Sequence, residues 1–251
     1  MSSIIAGRQP VLEAIRSGNA IEKILLQYGT HGGVIDRIRR DARQHSIPVV
    51  EVDRGRFQEL AGDGNTQGVC AVISSTSYVE IADLLETAKQ SGEPPLLLLL
   101  DGIEDPHNLG ALMRTAECAG VHGVVLPKHH SAGVTDTVAK TSAGATMHLP
   151  AARVTNLVHA MEELKEAGVW IVGTDSTADR SFTDVDYKGS VALVIGNEGK
   201  GMRRLVREQC DFLVRIPLYG RIESLNASVA GALVMFEAAR QRHPGNLKPS
   251  S

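Results

Sequence analysis

The spacing of apolar and polar positions divides the chain into two differently patterned parts. From Leu96 onward, five consecutive leucines are followed by the apolar runs "GVVLP", "ATMHLP", "VWIVGTD" and "VALVIGN". None alternates with polar residues, which is how strands covered on both faces of a parallel sheet read. "FLVRIPL" adds a further run, and helical patterns lie between several of them, notably "NLVHAMEELKEAG". A long closing helix is predicted through "NASVAGALVMFEAARQRH". The predicted class is α/β with a parallel sheet.

Residues 1–74 alternate shorter patterns. "RQPVLEAIRSG" reads as a helix stopped by Gly18, and "IEKILLQ" as a strand. "VIDRIRRDARQH" reads as an amphipathic helix with Val34, Ile35 and Ile38 on one side. "IPVVEV", "GRFQELAG" and "GVCAVIS" follow as strand, short helix and strand. This predicts a small N-terminal α/β domain over 1–74. Residues 75–95 read as a linker holding one short helix and ending at Pro94 and Pro95, which leaves 96–251 as the main domain.

Composition narrows the partners. At 251 residues the chain suits one large or two small domains. A net charge of −3 provides no overall basic field, so a nucleic acid would have to be held by a local patch. Arg37, Arg39, Arg40 and Arg43 cluster on one predicted helix, either as a solvated face or as phosphate contacts. Three cysteines, Cys70, Cys118 and Cys210, form no C-x-x-C pair; this points away from zinc and toward a reducing compartment. The start of the chain has no secretory pattern. No apolar run approaches the ~20 residues that cross a bilayer. The expectation is a cytoplasmic protein with no metal and no membrane.

Ligands of parallel α/β sheets sit beyond the carboxyl ends of the strands, and three loops there carry unusual residues. The first, "DPHNLGALMRTAECAG", starts a helix capped by either Asp105 or Asn108, with Leu109, Leu112, Met113 and Ala116 as its core stripe. Arg114 and Glu117 lie off that stripe, as an exposed pair or as a phosphate or ribose clamp. The second, "IGNEGKGM", permits positive φ and close backbone approach, but its G-x-x-G-x-G spacing is not the dinucleotide fingerprint. The third, "IPLYGRIESLNASVAGAL", crowds Ser224, Asn226 and Ser228 at a helix start, more than capping needs.

Together and in this order, these stretches resemble the three motifs of the SpoU (TrmH-type) family of SPOUT RNA ribose 2′-O-methyltransferases. The resemblance covers about residues 96–243. The N-terminal part resembles the ribosomal-protein-like (L30e-like) substrate-binding domain of many members, with "NTQGVCAV" matching its ending. Thr66 stands where relatives often have His, and Leu218 and Ala227 stand where Met and Val are common.

The resemblance implies a parallel-sheet domain with a deep trefoil knot, S-adenosylmethionine (AdoMet) as methyl donor, a ribose 2′-hydroxyl as acceptor, and a homodimer. Pattern alone would give an unknotted doubly wound sheet with a dinucleotide site. By matching positions, the donor would be held by Thr174, Gly196, Gly201, Ile216, Leu218 and Leu225. Arg114 would activate the hydroxyl and Asn108 position it, with Glu198, Ser224 and Asn226 completing the polar shell. Deprotonating a free guanidinium at pH 7 costs about 8 kcal/mol. That favours Arg114 as a phosphate clamp that stabilises developing alkoxide, with the proton leaving through phosphate or water. His107 is an alternative base, His129 and His130 face solvent or RNA, and Tyr219 and Arg221 either meet RNA or form a plain surface loop. The small N-terminal domain points to ribosomal RNA, a 23S guanosine foremost. Transfer RNA, adenosine in a resistance-type methylase, and a catalytically silent RNA-binding module are the alternatives.

Overall fold

The computed structural model describes residues 3–16, 21–45, 47–61, 66–73, 78–222 and 224–245. The chain divides into two compact units, one over 1–77 with 133–136, the other over 78–132 and 137–251.

In the first unit, β1 (Ser3–Ala6), β2 (Ile21–Gln27), β3 (Val49–Val52) and β4 (Val69–Ile73) form a sheet in the order β1-β4-β2-β3. Only the β2–β3 pair is parallel. Helices α1 (Arg8–Arg16) and α2 (Gly33–Gln44) cover one face, packing Val11, Ile15, Ile35 and Ile38 onto Ile24, Leu26 and Val69. Helix α3 (Arg54–Ala61) covers the other, with Phe57 against Leu25 and Cys70. Strand β1 had no pattern long enough to predict it. The helix stop expected at Gly18 lies outside the described residues.

The second unit holds a seven-stranded sheet whose pairs are all parallel. In chain order its elements are α4 (Ile81–Ser91), β5 (Leu96–Asp101), α5 (Pro106–Cys118), β6 (Gly123–Pro127), α6 (Asp136–Thr141), β7 (Ala151–Val154) and α7 (Leu157–Glu166). There follow β8 (Trp170–Thr174), β9 (Arg180–Ser181), β10 (Val191–Gly196), α8 (Arg204–Glu208), β11 (Phe212–Arg215) and α9 (Ala227–Arg242). The strand order is β7-β6-β5-β10-β8-β11-β9. The five leucines of β5 are fully buried, as the unalternating run requires.

One face of the sheet carries α4, α7 and α8, whose Leu84, Leu157, Met161, Leu164 and Val206 meet Leu97, Leu99, Ile171 and Val194. On the other face α9 lies against α5 so closely that a Cβ on Gly231 would stand 2.5 Å from Leu112 Cδ2. The predicted stripe Leu109, Leu112, Met113 and Ala116 is wholly buried.

Two expectations need correction. Residues 78–95 belong to the second unit, and α4 buries Ile81, Leu84 and Ala88 in its core instead of acting as a linker. The "ATMHLP" run is not a strand. Ala145–Met147 form a single 3₁₀ turn after left-handed Gly144, and Met147 is 82% exposed. Pro150 lacks an N–H, and the ladder starts only at Ala151.

A candidate active site at the carboxyl edge of the sheet

Strands β5, β8, β10 and β11 end side by side, at Asp101, Thr174, Gly196 and Arg215. Beyond them opens a cleft of about 580 Å³, a size that suits a small-molecule ligand. Ile195, Val214, Ile216, Leu218, Leu225 and Ala230 form its apolar side, and Thr174, Asp175, Thr177, Glu198, Arg207 and Ser224 its polar side. All six residues predicted to hold a donor, from Thr174 to Leu225, line this one cleft. Thr174 hydrogen-bonds Val194 O at 3.2 Å, which ties the end of β8 to β10.

Gly196 is glycine for a steric reason. A Cβ there would lie 2.4 Å from both Gly201 C and Met202 N, because the loop folds back over it. Gly201 takes φ +66°, in the left-handed region. Asn197 and Gly201 exchange backbone hydrogen bonds of 3.1 and 2.8 Å. The Asn197 side chain accepts from Gly199 N and Lys200 N, and donates to Gly102 O at 2.9 Å. The loop is also fastened below. Asp101, 1% exposed, accepts from Arg203 N and Nε, both at 2.7 Å. Across the cleft, burial alone would raise the Asp175 carboxyl, but hydrogen bonds from Thr177 and Arg207 prevail and hold it below the usual range. Sequence reasoning missed Asp101, Asn197, Asp175 and Arg207. A carboxylate closing an all-leucine strand was the one available signal, since a buried charge demands a partner.

Asp105, not Asn108, caps α5: its side chain accepts from His107 N, with Pro106 at the first helical position. Asn108 is thereby free for other work. Asn226 caps α9 by accepting from Ser228 N at 2.9 Å and from Ser228 Oγ. A backbone N–H can only donate, so the Asn226 oxygen must face Ser228 and its nitrogen must face the site. That nitrogen donates to Asn108 Oδ1 at 3.0 Å and to Glu198 Oε2 at 3.1 Å. Three residues from three motifs thus meet at one amide.

Arg114 is not brought there. It follows Asn108 by six residues, which points it roughly a third of a turn away around the helix, about 120°. It is exposed, does not line the cleft, and makes no hydrogen bond or ion pair among the described residues, so the exposed Arg114–Glu117 pair does not form. Ser224 is exposed at the cleft wall. His107 is exposed, His130 faces Glu104 at 3.7 Å, and Tyr219 is 95% exposed. Burial pushes the Cys210 thiol up to about 12, which removes it as a nucleophile. Among the described residues no cluster of His, Cys, Asp or Glu could hold a metal, and no helix is long and apolar enough to cross a membrane.

Comparison with known proteins places this geometry. Residues 95–236 match the SpoU rRNA Methylase family, and residues 4–79 match the RNA 2′-O ribose methyltransferase substrate-binding family. A TrmH family tRNA/rRNA methyltransferase of Bacillus subtilis is 44% identical over 240 residues, covering 96% of each chain. One of Staphylococcus aureus is 43% identical over 241 residues, covering 96% of this chain and 97% of that one. Among solved structures, the SpoU methyltransferase AviRb of Streptomyces viridochromogenes, in complex with AdoMet, is 27% identical. It superposes with a TM-score of 0.62 over 97% of this chain and 92% of its own. An AdoMet-bound rRNA methyltransferase of Sinorhizobium meliloti is 25% identical, with a TM-score of 0.60 over 95% and 87%. The chain belongs to the SpoU rRNA methylase family of AdoMet-dependent RNA methyltransferases, and carries that family's N-terminal substrate-binding domain.

Proposed function

We propose that the chain methylates a ribose 2′-hydroxyl of ribosomal RNA, with a 23S guanosine as the foremost target. The observation that carries this reading is the cleft of Thr174 to Leu225 lying against the Asn108–Asn226–Glu198 cluster, with Glu198 common to both. The residues present fit AdoMet. Backbone groups of 196–201 offer edges for adenine and ribose, Ile216, Leu218 and Leu225 give apolar walls, and the carboxylate of Asp175 suits a cationic ligand. When bound, AdoMet supplies a methyl group activated by positive sulfur. The protein holds and aligns the reactants and stabilises the attacking oxygen. Asn108 positions the hydroxyl, Ser224 closes the rim, and Arg114 clamps an RNA phosphate.

Residues 1–74 serve as the RNA-reading domain, with Arg37, Arg39, Arg40 and Arg43 as its phosphate contacts. Arg39 is already paired with Glu51, which leaves the other three to carry more of that role. The protein acts in the cytoplasm. A deep trefoil knot accounts for the insertion of β10 between β5 and β8, with α9 returning over the centre of the sheet. A homodimer accounts for α9. Val229, Leu233 and Phe236 stand 47%, 41% and 51% exposed at i, i+4 and i+7, a second apolar stripe behind the one that faces the sheet. Mapping ribose methylation across cellular RNA in a deletion strain tests the target. Loss of one 23S guanosine methyl supports it; an unchanged 23S map with a transfer-RNA ribose lost contradicts it.

A further inference from the structure

The amide of Asn226 fixes more than its own orientation. Its nitrogen needs an acceptor on each neighbour, so Asn108 presents its oxygen inward and turns its own NH₂ outward. Glu198 gives Oε2 to Asn226, and its Oε1 has no donor among the described residues. One donor and one acceptor are thus left free on two side chains that share a single nitrogen within 3.1 Å. A hydroxyl is the group that satisfies both at once, accepting from Asn108 Nδ2 and donating to Glu198 Oε1. Glu198 also lines the cleft, so a hydroxyl held there faces the donor side.

We infer that Glu198 is the proton acceptor of the reaction. The inference rests on the proposed ribose 2′-O-methylation. As the ribose oxygen forms its bond to the methyl carbon, the carbon–sulfur bond breaks and its electron pair stays on sulfur. The O–H proton then passes to Glu198 Oε1. A carboxylate is too weak a base to ionise a free alcohol, but an oxygen gaining a third substituent takes on oxonium character and becomes strongly acidic, and a weak base then suffices. Arg114 cannot take this role without first losing a proton, and it lies outside the cluster.

The test compares the full-length wild type with Glu198→Gln on unmodified 23S ribosomal RNA, in single turnover at saturating AdoMet. Glutamine keeps an oxygen for Asn226 but cannot accept the proton. The expected result is a rate lowered about 100-fold, with AdoMet and RNA affinities each within about threefold of wild type. A loss of less than about tenfold overturns the inference, as does a rate lost only because AdoMet no longer binds. Glu198→Asp, which keeps a base on a shorter stem, is expected to transfer faster than Glu198→Gln; a slower Asp variant overturns the inference. A wild type that methylates no ribose sinks the functional reading itself, a result distinct from an active wild type with an active Gln variant.

Discussion

Asn226 Nδ2 lies 3.0 Å from Asn108 Oδ1, joining the start of the last helix to the start of α5 across 118 residues of sequence. The same amide caps α9, so fold and site share one side chain. Asn226→Asp separates the two duties. Asp caps a helix about as well as Asn, so the melting temperature should stay within a few degrees. It has no N–H, however, and would set a carboxylate against Glu198. Methyl transfer should fall at least about 100-fold while thermal stability holds. Equal loss of both, read by calorimetry and a transfer assay, would mean that Asn226 is a cap and nothing more.

Gly196→Ala should weaken AdoMet binding by at least about tenfold and destabilise the protein by about 1–3 kcal/mol, because the added Cβ meets backbone that cannot step aside. Gly189→Ala is the control, since nothing lies within 4 Å of a Cβ there. Isothermal titration and denaturant melts of the pair decide it; matching AdoMet affinities would refute the steric account.

Asp101→Asn should loosen the glycine loop from below. Arg203 keeps one hydrogen bond and loses its charge partner, and its side chain is 53% exposed, so water relieves much of the loss. A destabilisation of about 1–2 kcal/mol is expected, with AdoMet affinity reduced several-fold. If affinity is unchanged, the loop does not depend on this anchor.

His122 gives the second unit a pH dependence. It is 8% exposed, accepts from Leu96 N through Nδ1 at 3.0 Å, and meets Ser91 Oγ through Nε2 at 2.9 Å. Burial, and then the nearby Arg242, lowers its pKa from 6.5. The unfolded chain therefore takes up the proton first. The stabilisation is fully present above about pH 6.5 and is lost as pH falls below it, at up to about 1.4 kcal/mol per unit. His122→Asn should flatten this slope; a wild-type melting temperature constant from pH 7 to 5 would contradict the assignment.

What the sequence made legible follows from what pattern encodes. The unalternating leucines of β5 and the stripe of α5 announced burial, because period and burial are linked directly. The three motif loops were legible as places of unusual chemistry. Their internal order was not. That Asp105 and not Asn108 caps α5 depends on competition between two good caps one turn apart. The outward NH₂ of Asn108 follows only once Ser228 is seen to fix the Asn226 oxygen. The 3₁₀ turn at Ala145–Met147 escaped notice because a short apolar run reads alike in turn and strand.

Arg114→Ala should abolish methyl transfer and leave AdoMet affinity within a few-fold, since the residue does not line the cleft. In the proposed homodimer, its place outside its own chain's cluster predicts that it serves the partner's site. Mixing Arg114→Ala with Asn226→Ala subunits should then restore roughly a quarter of wild-type activity, from one good site in half the dimers. No recovery, or a monomer in sedimentation at micromolar concentration, would contradict a shared site.

The central claim is that the cleft and the Asn108–Asn226–Glu198 cluster together place a methyl group on a ribose oxygen of RNA. Transfer of labelled methyl from AdoMet to unmodified 23S ribosomal RNA, followed by alkaline hydrolysis, tests it most directly. Alkali cleaves RNA through the free 2′-hydroxyl, so a methylated ribose protects its own linkage. The expected result is label in an alkali-resistant dinucleotide, appearing about 100-fold more slowly with Glu198→Gln or Asn226→Asp. Label released in mononucleotides, which marks a methylated base, or no label in RNA at all, would contradict it.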